Sequence, residues 1–128
     1  MRFMMLMIPK GYHDAAPGTV PTDAKLVEKM MAFNGELTKA GVLLALDGLH
    51  PPSAGTRVYF SKQAPKAVDG PFSEAKEVLG GYWVIQVKSK EEAVEWALRC
   101  PAQDGDIIEI RRVQEMADFP AEIQQLIK

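Results

Sequence analysis

Tyr82-Trp83-Val84-Ile85-Gln86-Val87-Lys88 runs straight into Ser89-Lys90-Glu91-Glu92 and then Ala93-Val94-Glu95-Trp96-Ala97. The period changes in the middle of this stretch. Trp83, Ile85 and Val87 alternate with Tyr82, Val84 and Gln86, which is the two-residue repeat of a strand. Ser89 then opens a capping box, with Glu92 reaching back, so a helix is expected from there. Pro101 ends it near Cys100, because the residue before a proline is pushed out of helical geometry. A strand over Asp106 to Val113 completes a β-α-β unit.

The N-terminal half repeats that order. Arg2 to Ile8 is an apolar run and reads as a central strand buried on both faces. Pro9 to Pro21 holds three prolines and two glycines and reads as a loop. A helix is expected over Asp23 to Ala40, with Thr22 as N-cap and Gly41 just past its end. Leu26, Met30, Phe33, Leu37 and Ala40 form one apolar stripe on it. A strand over Val42 to Leu46 follows. Between the two halves, Thr56 to Ser61 and Lys66 to Val68 read as an inserted hairpin. Asp69-Gly70-Pro71-Phe72 is a turn, and Ser73 to Leu79 has room for two helical turns before Gly80-Gly81. Pro120 to Lys128 reads as a short amphipathic tail helix.

Two β-α-β halves give an α+β fold: a ferredoxin-like antiparallel sheet with two helices on one face. The 128 residues form a single domain, with a core over 1–113 and a tail over 114–128. Hydrophobic residues at 47% and charged residues at 25% exclude a disordered chain. A net charge of −2 lacks the basic footprint of a nucleic-acid binder. The apolar run at the N-terminus is too short for a membrane span and lacks a cleavage site close behind it, so neither a span nor a signal peptide is expected. The lone Cys100 excludes an internal disulfide and a cysteine-built zinc site, and it suits a reducing compartment. It reads as a small buried hydrophobe.

With the apolar sets packed on the helices, alternation places Arg57, Tyr59, Tyr82, Gln86, Glu109 and Arg111 on the open sheet face. Such a set suits a small anionic or aromatic ligand, or else cross-strand ion pairs in solvent. The bare face calls for a cover.

Gly48-Leu49-His50-Pro51-Pro52, Arg57-Val58, Asp69-Gly70-Pro71-Phe72-Ser73-Glu74-Ala75-Lys76-Glu77, Gly80-Gly81-Tyr82-Trp83, Glu92 to Ala97 and Glu109-Ile110-Arg111 together resemble the YCII-related proteins of the DGPF subgroup. The resemblance runs from the first strand to Val113. Arg112 departs from it, standing where the family commonly has proline. The resemblance implies a homodimeric α/β barrel in which two sheets face each other. It also implies a cytoplasmic bacterial protein without a cofactor. Related proteins carry a His–Asp pair in the cleft, and genes of the subgroup often lie beside extracytoplasmic-function sigma factors.

Two functions follow as expectations. In the first, the homodimer binds a small anionic or aromatic metabolite in its cleft, with cofactor-free acid–base catalysis as an open extension. Asp69 is then the acid or base, His50 its partner, Arg57 or Arg111 the anion clamp, and Tyr59, Tyr82 and Glu109 further ligand contacts. Histidine suits proton transfer because its unperturbed pKa lies near neutrality. His13 beside Asp14 is a second candidate pair. No metal site is expected from two histidines and scattered carboxylates. Asp69 also suits a purely structural role, bonding its own turn. In the second function the chain is a non-catalytic regulatory module that docks a partner such as a sigma factor.

Overall fold

A computed structural model describes residues 1–127. Six strands and three helices follow one another as β1 (Arg2–Ile8), α1 (Ala24–Lys39), β2 (Leu43–Gly48), β3 (Thr56–Tyr59), β4 (Lys66–Asp69), β5 (Gly81–Gln86), α2 (Lys90–Leu98), β6 (Ile107–Arg112) and α3 (Ala121–Gln124). Short 3-10 turns lie at Tyr12–Asp14, Pro52–Ala54 and Met116–Asp118.

Four strands form one antiparallel sheet in the order β2-β5-β1-β6. β5 lies between β1 and β2, and β1 lies between β5 and β6. Each half is therefore a β-α-β unit split by a strand of the other half, which is the ferredoxin-like arrangement. The sheet of one chain stays open and does not close on itself.

Directly opposite residues of an antiparallel pair share a face. Phe3 stands opposite Ile85 and Met5 opposite Trp83, and all four are buried. Phe33 and Leu37 of α1 and Ala93 of α2 pack on that side, so both helices cover one face. Phe33 meets Trp83 edge to face, with ring centroids 5.8 Å apart. The Trp83 indole N–H donates to Asn34 Oδ1 at 2.7 Å, which fixes α1 on the sheet. Ser89 caps α2, accepting from the Glu92 N–H, while the Glu92 carboxylate reaches back to Lys88 N at 2.9 Å rather than to the Ser89 N–H.

Four local expectations are corrected. The cap of α1 is Asp23, whose carboxylate accepts from Lys25 N and Leu26 N, rather than Thr22. Residues 73–79 form turns and no helix, since so short a segment gains too few hydrogen bonds to offset nucleation. β3 and β4 pair only with each other. Arg57 and Tyr59 therefore sit on a separate two-stranded sheet and not on the open face of the main one. The tail is a 3-10 turn and the single-turn α3, shorter than expected; Lys128 lies outside the described residues.

Candidate functional site

The open face of the sheet carries rows that the register fixes. Asp47, Tyr82, Leu6 and Glu109 stand side by side across β2, β5, β1 and β6. Ala45, Val84, Met4 and Arg111 form the next row. The charged groups of these rows thus stand on the edge strands β2 and β6, with Leu6, Met4 and Val84 between them. A bulge at Leu44 sets this register. Simple alternation from Leu43 would put Asp47 on the helix side. The extra residue turns Asp47 to the open side opposite Tyr82 and sends Leu46 toward Trp83.

A cavity of about 610 Å³ opens at the end of the sheet where β1 and β2 finish and β5 begins. Met7, Leu46 and Trp83 contribute from the strands, Met30 and Asn34 from α1, and Thr19, Val20 and Pro21 from the loop before α1. Gly48, Leu49 and His50 form another wall, and Tyr12, Asp106, Asp47 and Tyr82 also border it. The volume lies within the range of small-molecule sites, which are mostly apolar with a few placed polar groups.

Two glycines make this geometry. A Cβ on Gly80 would lie 2.4 Å from the ring of Pro9, and one on Gly81 would lie 2.9 Å from the Asp47 carbonyl oxygen. Backbone bonds use the same closeness: Gly80 N donates to Met7 O at 2.8 Å, and Leu49 N donates to Gly80 O at 2.9 Å. The Gly-Gly pair, read from sequence as a stop signal, is the point where three chain segments touch beside the cavity.

Most of the polar atoms in the wall are already engaged. The Tyr82 hydroxyl donates to Asp47 Oδ2 at 2.8 Å. That bond, and then the nearby negative charge, raise the Tyr82 pKa above the usual phenolic value. The Tyr12 hydroxyl donates to Leu49 O, and burial raises its pKa. Asp106 accepts from Lys10 N at 2.9 Å and from Gln103 N at 3.0 Å, one to each oxygen. His50 is exposed on the rim, just ahead of the fully buried Pro51.

The residues singled out by sequence separate into three places. His50 and Tyr82 share the cavity. Glu109 and Arg111 pair with each other at 3.2 Å on β6, at the far edge of the open face, and both are exposed. Arg57, Tyr59 and Asp69 belong to the hairpin. There Arg57 lies over the Phe72 ring at 4.1 Å, and Asp69 Oδ1 accepts from the Thr56 hydroxyl at 2.7 Å. Asp69 does not line the cavity. Gly70 N donates to Gly55 O at 2.8 Å, and a Cβ on Gly70 would fall 1.9 Å from the Pro52 carbonyl oxygen. The Asp-Gly-Pro-Phe run therefore locks the hairpin onto the Pro51–Pro52 turn. His13 Nε2 does meet Asp14 Oδ2, at 3.1 Å, but outside the cavity, and its Nδ1 is buried without a partner among the described residues.

Sequence reasoning missed Asp47, Asn34, Met30 and Asp106 as site residues. No local motif marks them, since the cavity is assembled from six separate stretches of chain. Among the described residues no cluster of three or more His, Cys, Asp or Glu side chains gathers to hold a metal, and no helix is long and apolar enough to cross a membrane.

Residues 1–117 match the family model described as the YCII-related domain. A curated relative, the uncharacterised protein R00369 of Rhizobium meliloti (strain 1021), is 31% identical over 75 residues, which is 59% of this chain. The match spans 60% of that relative's length.

Proposed function

The chain belongs to the YCII-related family, and we propose that it binds a small, largely apolar metabolite in the cavity at the end of its sheet. The cavity itself carries this reading: about 610 Å³, mostly apolar, with His50 and the Asp47–Tyr82 pair at its rim. If the bound molecule is turned over, His50 is the proton carrier, as the only histidine in the wall. The protein acts as a homodimer of the DGPF subgroup. Met4, Leu6, Ile8, Ala45 and Val84 form an apolar stripe on the open face, and a second copy of the sheet covers it. The setting is the bacterial cytoplasm.

A thermal-shift screen with small aromatic metabolites tests the reading. A ligand at 100 times its Kd adds about 2.7 kcal/mol of stability. The Leu46→Trp variant fills the cavity and abolishes the shift. A shift that persists in Leu46→Trp places the site elsewhere.

A second reading, a module that docks a protein such as a sigma factor, draws on the hairpin. Phe60 is 81% exposed there, beside exposed Val58 and Tyr59. Retention of a sigma factor by the wild type, and its loss in Phe60→Ser, is the outcome that reading requires.

A further inference from the structure

Resting on the cavity reading above, we infer that Asn34 orients the ligand, its side-chain N–H groups donating to a carbonyl oxygen carried by an otherwise apolar molecule. The helix side of the cavity carries this. Met30 and Asn34 stand one turn apart on α1 and so share a face. Both line the cavity, together with Leu46 and Trp83 of the sheet.

The Asn34 amide can be placed in one way only. An indole N–H is a donor and never an acceptor. The atom that Trp83 meets at 2.7 Å is therefore the amide oxygen, Oδ1. Nδ2, with two protons to give, is turned away from the indole. It has no protein acceptor among the described residues, and the protein does not seal it off, unlike His13 Nδ1. It is thus open to the space that its side chain lines. The donor is also fixed before a ligand arrives, because Trp83 is itself held edge to face by Phe33. An amide of this kind does not titrate, so the donor is independent of pH.

The hydroxyl and indole donors of the wall are committed elsewhere. Tyr12 donates to Leu49 O and Thr19 to Ala16 O, each at 2.5 Å. Tyr82 donates to Asp47, and Trp83 to Asn34. Met7, Val20, Met30 and Leu46 supply hydrocarbon and thioether surface. A free amide donor in such a wall selects an apolar body with an acceptor at one end. A pure hydrocarbon would cover Nδ2 and leave it unpaired.

Two probes of one shape test this: 2-acetylnaphthalene, and 2-isopropenylnaphthalene, in which a CH2 group replaces the oxygen. Binding to the full chain is followed by NMR at the Trp83 indole signal. Asn34→Asp keeps an acceptor for Trp83 and loses the donor. Asn34→Ala loses both and adds no charge. Any change in fold stability acts on both probes alike and cancels in their affinity ratio. The ratio of ketone to hydrocarbon affinity is expected to fall about fivefold in each variant, which corresponds to about 1 kcal/mol. A fall confined to Asn34→Asp reports charge repulsion and overturns the inference. So does an unchanged ratio in both variants, and in either case Trp83 shifts that vanish in Leu46→Trp leave the cavity reading standing. Absence of shifts at Trp83 with both probes, or shifts that survive in Leu46→Trp, overturns both.

Discussion

The Tyr82 hydroxyl donates to Asp47 Oδ2 at 2.8 Å between two residues that stand directly opposite each other on β5 and β2. The bond ties the edge strand β2 to the centre of the sheet at the mouth of the cavity. It also raises the Tyr82 pKa above 10.0, through the hydrogen bond first, then the charge of Asp47, then burial. A group whose folded pKa lies above its unfolded one contributes stability below the unfolded value. That contribution disappears as pH rises through the folded value. Urea unfolding is therefore expected to show wild-type stability declining above about pH 10. Tyr82→Phe declines less steeply there, keeping the share due to Tyr12, whose pKa burial also raises. An identical alkaline slope in both proteins would contradict the assignment.

Asp69 and Gly70 are expected to separate structure from binding. Asp69→Asn retains an acceptor for Thr56, so the thermal shift produced by a cavity ligand stays within a few-fold of wild type. Gly70→Ala places a methyl group against the Pro52 carbonyl, which is backbone and cannot step aside. A loss of about 1–3 kcal/mol is expected in urea unfolding, in the range of strained or overpacked sites. Loss of ligand response in Asp69→Asn would instead bring the hairpin into the site.

The strands could be read from the sequence because they carry a two-residue period or, in Arg2–Ile8, an unbroken apolar run. Arg2–Ile8 has the expected bounds, and the Ser89 cap starts α2 where it is expected. Alternation also put Tyr82, Glu109 and Arg111 on one face correctly, as the register through Leu6 and Met4 confirms. The same rule failed for Arg57 and Tyr59. Alternation says which side of a strand a residue takes, but not which sheet the strand joins, and β3 joins only β4. It does not reach Asp47 either: the expected strand ends at Leu46, whereas β2 runs on to Gly48, and the bulge at Leu44 shifts its phase. A bulge is a property of the pairing and has no local signature in Leu-Leu-Ala-Leu. Turn chemistry was visible in Asp69-Gly70-Pro71, whereas its docking partner Pro52 follows from tertiary contact alone.

Cys100 is expected to be inert in the native protein. Burial first, and then the charge of Asp106, push its thiol up to about 11 from an ordinary 9.0. Its sulfur lies 4.0 Å from that of Met30, beneath the helices. The thiolate is the reacting form, so a shift of this size slows alkylation at pH 8 by about 100-fold. Iodoacetamide labelling followed by mass spectrometry, with and without urea, checks this. Rapid labelling of the native chain at pH 8 would show that the thiol is not held as described.

The tail is fastened by Arg2, at the start of the inner strand β1, and Arg112, at the end of the edge strand β6. Arg2 reaches Glu115 through Nε at 2.7 Å and through a second nitrogen at 3.3 Å. Arg112 pairs with Asp118, whose other oxygen accepts from the Glu115 N–H. The Arg2 hydrogen bond lowers the Glu115 pKa from 4.5, and the backbone bond, then Arg112, lower that of Asp118 from 3.8. Folded values below the unfolded ones mean that these bonds contribute fully above about pH 4.5. The contribution is lost as pH falls through the lowered values, when the carboxylates take up protons. Amide exchange over 113–127 is therefore expected to quicken below about pH 4, relative to its intrinsic rate, before β1 and β5 lose protection. In Glu115→Gln the same segment exchanges faster already at neutral pH, because the Arg2 pair is gone. Uniform protection of tail and sheet down to about pH 3 would mean that apolar contacts of Phe119 and Ile123, and not these ion pairs, hold the segment in place.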